Sequence, residues 1–422
     1  MSNPTIGFCG MTHLGLNSAI SGASKGFPMI CFDADHDLIA RLNQGELPVV
    51  EPQLDELLAE HRANITFTSD LADLQKCDVA YVAPDVPTDD QGKSDLSGIY
   101  ALLDIVEPAL RADAVLVVLS QVNPGFTREL GRAAGPLYYQ VETLIFGRAV
   151  ERALYPERYI IGCEDPNEPL PDVYKAFLEA HDCPILPMRY ESAELAKISI
   201  NMCLVASVSV ANTMAEICEN IGADWSEIVP SLRLDRRIGQ YSYIVPGLGI
   251  SGGNLERDLA SVIRMGDEHG TDAGVVRAWI DNSQHRKGWP FRTLDKVVLQ
   301  DNPDAKVSIL GLAYKENTHS TKNSPALVLL NSLGDKKATV FDPIVSADQG
   351  GENTIGAASA LEAAKGADVV MIMTPWPEFK DITAAQLAEA MSGNILIDPY
   401  RIIDPEDAMA HGLDHITLGV TA

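Results

Sequence analysis

The sequence predicts an α/β protein: two doubly wound parallel-sheet units joined by a helical segment that contains one long helix. Three observations carry this reading. A chain of 422 residues is too long for one hydrophobic core, so two to three domains are expected. Short apolar runs alternate with helix-compatible stretches near both ends of the chain, which is the pattern of parallel sheets. Between them the periodicity becomes helical from Glu191 to Gly222. The expected domains are residues 1–190, 191–292 and 293–422.

In chain order, residues 4 to 9 read as a short buried strand that runs into the turn Gly10-Met-Thr-His-Leu-Gly15. An apolar helix-compatible segment follows, then a second strand over residues 27–33 that ends in an acid, Asp33. Further strands are expected at 78–84 and 114–120. In the long helical run, Leu195, Ile198, Met202, Val205, Val208 and Met214 recur at helical spacing, which predicts packing in a domain core or at a subunit interface. The last third repeats the strand pattern at 306–315, 338–342, 367–374 and 394–398.

Composition narrows the class. A hydrophobic content of 46% with 22% charged residues is that of a soluble globular protein. The formal charge of −27 disfavours nucleic acid and anionic membrane as partners, and any phosphate-bearing ligand needs a local positive site against this field. No basic-then-apolar leader opens the sequence, and no uninterrupted apolar run approaches the roughly 18 residues that span a bilayer, so the cytoplasm is the expected location. The seven cysteines are scattered with no CxxC pair, so neither a metal site nor a disulfide framework is expected.

Strand, glycine turn, helix and acid-ended strand together form the opening of a dinucleotide-binding, Rossmann-like unit. The expected G-x-G-x-x-G appears as Gly10-Met-Thr12-His13-Leu14-Gly15, with threonine at the second glycine. Thr12 either adds a hydroxyl contact to the pyrophosphate or weakens its approach. Asp33 stands where an acid accepts hydrogen bonds from a ribose hydroxyl and repels a 2′-phosphate, which favours NAD over NADP.

Further along, Pro246-Gly-Leu-Gly-Ile-Ser-Gly-Gly-Asn254-Leu-Glu-Arg-Asp258 forms a glycine-dense loop. With Glu51-Pro52, Val86-Pro-Thr88, Asp95-Leu-Ser97, Ser120-Gln-Val-Asn-Pro-Gly125, Glu142, Glu194-Leu-Ala-Lys197, Asn201, Arg237-Ile-Gly239, Gly311-Leu-Ala-Tyr-Lys315, Thr318, Ser324-Pro325, Asp342-Pro343 and Trp376, it makes an ordered set spread over nearly the whole chain. That set resembles the UDP-glucose/GDP-mannose dehydrogenase family. The resemblance implies two Rossmann-like doubly wound domains joined by a helical central domain, with NAD as cofactor and a nucleotide sugar as substrate.

It also implies roles. Further cofactor contacts fall at Pro87, Thr88, Ser120 and Gln121. Lys197 and Asn201 lie four apart, hence on one helix face, and resemble the family's oxyanion-stabilising pair. On the residues alone, a lysine on an apolar helix can instead extend to solvent. Asp258 resembles the aspartate paired with that lysine, and Glu142 resembles a glutamate of the family's base assembly. Gly252, Gly253, Tyr314, Lys315 and Lys322 match positions that hold the nucleotide sugar, with Lys322 in place of the more usual arginine. Arg237 resembles an arginine that can reach the partner subunit's site. A homodimer or higher homo-oligomer is therefore expected.

The chain departs from the family where a second oxidation takes place. The family's nucleophilic cysteine is Asn254, a threonine is Gln121, and a second glutamate is Phe146. Thiohemiacetal chemistry needs a thiolate, and an amide cannot supply it. The leading expectation is an NAD-dependent oxidoreductase acting on a nucleotide sugar, a UDP-sugar first, that oxidises CH–OH in a single two-electron step. The alternatives are a four-electron 6-dehydrogenase that hydrates its aldehyde directly, a redox-neutral epimerase with retained NAD, and a non-catalytic binder of nucleotide sugar or NAD.

Overall fold

The computed structural model describes residues 3–89, 92–132 and 134–421. Met1 and Ser2, which belong to the leader reading above, lie outside them. The chain forms two compact units, residues 1–200 and 201–422.

In the first unit the order is β1 (Ile6–Cys9), α1 (His13–Ser24), β2 (Met29–Phe32), α2 (His36–Asn43), α3 (Leu54–His61), β3 (Ile65–Thr68), β4 (Val79–Val82), α4 (Ser97–Ala109), β5 (Val115–Val118), α5 (Phe126–Leu130), β6 (Leu137–Gln140), α6 (Ala149–Leu154), β7 (Tyr159–Cys163), α7 (Asp172–Glu179) and β8 (Ile185–Arg189). These strands form one sheet in the order β3-β2-β1-β4-β5-β6-β7-β8. The reversal at β1–β4 is the switch point where doubly wound folds take their ligand. Side chains alternate between the two faces. Ile6, Phe8, Met29, Cys31, Val79, Tyr81, Val115 and Val117 enter one core, while Ile30, Phe32, Ala80, Val82, Leu116 and Val118 enter the other. Both faces of β1, β2, β4 and β5 are buried, so these central strands are apolar throughout, whereas the edge strands β3 and β8 carry exposed positions.

The sheet is parallel except where β6 meets β7, which pair antiparallel through Tyr139 and Gly162. After β6 the chain doubles back through α6, which packs on α1, and β7 enters in the opposite direction. A side chain at 162 would press on Tyr139 and Ala193, with its Cβ 3.0 and 3.1 Å from theirs.

Helix α8 (Tyr190–Ile221) begins in the first unit and continues into the second. By length and composition it is apolar enough to cross a bilayer, although Asn201, Ser207, Ser209, Asn212 and Thr213 interrupt its run. Packing accounts for part of its apolar surface: Tyr190 and Ala193 join a core of the first unit, and Val205, Ala211, Ala215 and Cys218 join cores of the second, while Leu195, Val210, Met214, Ile217 and Ile221 stay exposed.

The second unit continues with α9 (Trp225–Leu234), α10 (Asn254–His269), α11 (Gly274–Lys287) and α12 (Trp289–Leu294). Then come β9 (Val307–Leu310), α13 (Pro325–Leu333), β10 (Ala338–Phe341), β11 (Thr354–Gly356), α14 (Ala360–Ala364), β12 (Val369–Ile372), α15 (Ala384–Ala390), β13 (Ile395–Ile397), α16 (Pro405–Ala410) and β14 (Asp414–Ile416). The sheet order β11-β10-β9-β12-β13-β14 repeats the doubly wound plan, and every pair in it is parallel.

Candidate active site

The first unit builds a dinucleotide cradle at the end of β1. Gly10 turns the chain at φ +96°, and its amide donates to Phe32 O at 2.9 Å. Gly15 brings α1 onto that turn so closely that a Cβ there would lie 1.9 Å from Gly10 O. This is the tight packing a third motif glycine serves. Asp33, just past β2, accepts Met11 N at 2.7 Å through one oxygen and Asp35 N at 3.0 Å through the other. A carboxylate has about four acceptor sites, so Asp33 retains capacity for a ribose diol. These features fit NAD. The Thr12 hydroxyl donates to Ala83 O at 3.2 Å and ties the turn to the end of β4. Ser120 likewise donates its hydroxyl to Pro84 O. Pro87 and Thr88 lie on a small turn closed by the Thr88–Ser94 bridge and by Asp95 N donating to Pro87 O at 2.9 Å.

His13 and Leu14 open α1 and are buried. The His13 ring is held by Glu51, with Nε2 2.7 Å from Oε1, and stacks on Phe146 at 4.1 Å between ring centres. Glu51 also accepts Gly147 N at 2.8 Å and Ala149 N at 3.2 Å. One buried carboxylate thus joins the glycine turn to the loop that follows Glu142.

Two more carboxylates face this unit's ligand-side loops. Glu142 accepts the Leu144 amide, and its other oxygen lies 3.4 Å from Lys197 Nζ. The two side chains are 18% and 16% exposed, half-sheltered from solvent screening. Glu194, one turn before Lys197 on α8, is fully buried. Burial pushes its carboxyl pKa up, while hydrogen bonds from the Thr127 and Gly125 amides pull the other way.

In the second unit the glycine loop and the loop after β9 interlock. Gly252, at φ +81°, faces the Tyr314 ring, which a Cβ would meet at 2.9 Å. Its amide donates to Lys322 O at 3.0 Å, and Asn323 Nδ2 donates to its carbonyl at 2.9 Å. Gly253 packs on the Lys322 side chain. Gly252, Gly253, Tyr314 and Lys322 are therefore brought together, with Lys315 beside the Tyr314 ring at 5.8 Å. Desolvation, and behind it the charge of Glu316, raises the Tyr314 pKa and keeps its hydroxyl neutral.

The glycine loop ends at Gly253, five residues before the Asp258 expected from the sequence, because Asn254 is the exposed first residue of α10, after Gly253 at the N-cap. Asp258 lies one helical turn on, buried, and accepts Asn201 Nδ2 at 2.5 Å and Arg257 Nε at 3.3 Å. Asn201 follows Lys197 by one turn of α8. Arg237 stands on an exposed segment and forks onto Asp235 at 2.7 and 3.0 Å. None of the described contacts ties it to Gly252 or Lys322.

Sequence models of the UDP-glucose/GDP-mannose dehydrogenase family match three consecutive stretches: the NAD binding domain at residues 4–178, the central domain at 191–284 and the UDP binding domain at 308–405. The chain belongs to this family. It is similar to a UDP-glucose 6-dehydrogenase of Rickettsia conorii, with 28% identity over 98% of this chain and 99% of that one. A Rhizobium meliloti UDP-glucose 6-dehydrogenase matches at 28% with the same coverage. Among solved structures, a UDP-D-ManNAc dehydrogenase from Pyrococcus horikoshii superposes with a TM-score of 0.82 at 23% identity, over 98% of this chain and 99% of that one. A UDP-glucose dehydrogenase from Pyrobaculum islandicum gives 0.81 at 22%, over 100% and 98%.

With family membership established, NAD is the cofactor and the chain is an NAD-dependent nucleotide-sugar dehydrogenase in class. The doubly wound pair of sheets agrees with the fold of these relatives. Sequence reasoning gave no role to Glu51, Glu194, Glu256 or Asn323. Glu256 lies between Lys287 Nζ at 3.0 Å and Asn323 Nδ2, which braces the glycine loop. The landmark pairs Glu51-Pro52 and Glu194-Leu-Ala-Lys197 held the only signal for two of these residues.

Proposed function

We propose that this chain oxidises a CH–OH carbon of a nucleotide sugar, UDP-linked in the first instance, and stops after one hydride transfer. The product is an aldehyde or ketone: R–CH₂OH + NAD⁺ gives R–CHO + NADH + H⁺. The observation that supports this is Asn254 at the head of α10, the position to which the family resemblance assigns a nucleophilic cysteine. A neutral amide cannot add to an aldehyde and return it as an acyl group. Phe146, another of the three departures, is stacked on His13 and offers no carboxylate to a water.

When bound, NAD supplies the hydride acceptor. The chain's own groups hold the rest of the chemistry. Lys197 offers ammonium donors to the oxygen as negative charge develops on it, the usual strong contribution in such sites. Glu142, 3.4 Å from that ammonium, orients it and accepts the released proton directly or through water. Asp258 fixes the amide of Asn201, whose remaining polar atoms are thereby oriented. Lys315, Lys322 and Tyr314 line the nucleotide end, with Gly252 and Gly253 allowing close backbone approach, and Arg237 serves a partner subunit. Gly10, Gly15, Asp33, Pro87, Thr88, Ser120 and Gln121 border NAD. The functional division at 1–190, 191–292 and 293–422 follows these roles. The exposed Val210, Ile217 and Ile221 of α8 support a homo-oligomer, and the cytoplasm is the location we assign.

The test is incubation of the purified protein with NAD and UDP-, GDP-, CDP- and dTDP-sugars, reading NADH yield and product mass together. One NADH per sugar, with a product lighter by two hydrogens, is the expected result. Two NADH per sugar with an acid product overturns the single-step reading. An isomerised sugar without NADH makes the enzyme an epimerase, and binding without turnover makes it a pseudoenzyme.

A further inference from the structure

The loop that leaves β5, residues 119–125, carries Ser120 and Gln121 and ends in α5. Its far end is held by one side chain from outside the loop. Glu194 Oε2 accepts Gly125 N at 2.6 Å, and Oε1 accepts Thr127 N at 2.8 Å. The glutamate is 0% exposed, so neither bond has water as a ready substitute. Gly125 sits at φ +99°, a conformation that aims its amide at the carboxylate and that few other residues tolerate. Glu194 also stands three residues before Lys197 on the same helix. A rigid turn of α8 thus fixes both the loop bordering the cofactor and the lysine facing the reacting oxygen.

We propose that Glu194 is a positioning residue for hydride transfer: its buried carboxylate clamps the Gly125–Thr127 backbone and so sets the register of the cofactor-side loop against Lys197. This rests on the reading in which Ser120, Gln121 and Lys197 serve the reaction. A buried carboxylate that accepts two backbone amides is geometrically specific in a way a neutral amide is not. Glutamine presents one acceptor oxygen and turns an NH₂ toward the second N–H, leaving that donor unpaired. The neighbouring Glu191 provides a contrast on the same helix. Its partner Arg128 also belongs to α5, but their ion pair is 40% and 46% exposed and should contribute little.

The experiment compares wild type, Glu194→Gln, Glu194→Asp and Glu191→Gln. Amide exchange over residues 123–128 is measured in each NAD-loaded protein, and kcat and KM on the nucleotide sugar that wild type turns over best. For Glu194→Gln, exchange at Gly125 and Thr127 should quicken about tenfold. Its kcat should fall about 10- to 100-fold, the usual consequence of sub-ångström misplacement, with KM for the sugar within about threefold. Glu194→Asp keeps the charge and should recover part of kcat, while Glu191→Gln should stay within about twofold of wild type. The proposal is overturned if Glu194→Gln leaves kcat unchanged, or if kcat, both KM values and melting temperature deteriorate together without rescue by aspartate. A wild type inert toward every nucleotide sugar defeats the functional reading instead. Unchanged exchange at Gly125 and Thr127 in Glu194→Gln then overturns the clamp on its own.

Discussion

Replacing Lys197 with methionine removes the ammonium while keeping a stem of similar length on α8. At 3.4 Å and an effective dielectric of about 20, its attraction to Glu142 is about 5 kcal/mol before desolvation is subtracted. Desolvation of two half-sheltered ions offsets most of this, so the net loss of stability should be about 1–2 kcal/mol, between exposed and fully buried pairs. Catalysis should lose more. A donor aimed at a developing oxyanion is worth about 2.7–4 kcal/mol, so kcat should fall about 10²- to 10³-fold. The assay is single-turnover NADH formation under saturating NAD and nucleotide sugar, with NAD affinity titrated separately by fluorescence. NAD affinity should hold within about threefold, because the cradle at Gly10, Gly15 and Asp33 does not include this lysine. A single-turnover rate within about tenfold of wild type would refute the oxyanion role. A parallel collapse of NAD affinity would refute the separation of binding from chemistry.

Three further outcomes follow from the geometry. Gly15→Ala puts a Cβ 1.9 Å from Gly10 O and should cost about 3 kcal/mol of stability, since two main-chain segments must part. NAD should fail to protect the variant in a thermal melt. Asn254→Cys places a thiol at the start of α10, where its pKa is lowered. With NAD and substrate it should accumulate a covalent sugar–enzyme adduct by intact mass, whereas wild type shows none. His181 is buried, and desolvation lowers its pKa from 6.5 to about 4, with Nδ1 3.1 Å from Phe177 O. The unfolded chain therefore binds the proton first. Stability is intact above pH 6.5 and lost as pH falls to about 4, a loss of about 3 kcal/mol at roughly 1.36 kcal/mol per unit. Urea midpoints at neutral and acidic pH should converge in His181→Gln.

Local chemistry made much of the fold legible. The glycine turn between β1 and α1 and the acid after β2 announced the first unit, because φ-positive glycine and strand-end acids are short-range signals. The edge strands β3, β11 and β14 have three or four residues each, too short for periodicity to separate them from loops. The antiparallel β6–β7 pair was invisible because it depends on where α6 returns the chain. Asn254 read as loop because Gly252 and Gly253 precede it, yet a glycine pair can equally lead into a helix. Glu51 and Glu194 illustrate a deeper limit. Their partners lie 96 and 69 residues away for Gly147 and Gly125, and both partners are backbone amides. A side chain that holds remote main chain has no complementary residue type to betray it.

The two sheets also show how one plan takes two ligands. Both units turn at a glycine, Gly10 at φ +96° and Gly311 at φ +95°. Each turn is followed by an amide held by the acid beyond the second strand: Met11 N to Asp33 and Leu312 N to Asp342, both at 2.7 Å. From there they diverge. Asp342 also accepts Ala313 N, Ile344 N, Val345 N and Trp376 Nε1. Five donors on about four acceptor sites leave it no capacity for a ribose. The helix that meets pyrophosphate is displaced as well. In the first unit α1 begins at His13, directly after the turn, whereas α13 begins only at Pro325. Between Gly311 and Pro325 the chain instead carries Tyr314, Lys315 and Lys322. On the proposed reading, the first unit would meet phosphate with main-chain amides at a helix start, and the second with lysines on a loop tied to Gly252 through Lys322 O and Asn323 Nδ2. In a chain of net charge −27, such a local pair of cations is what the proposed site needs if an acidic surface is to admit a nucleoside diphosphate.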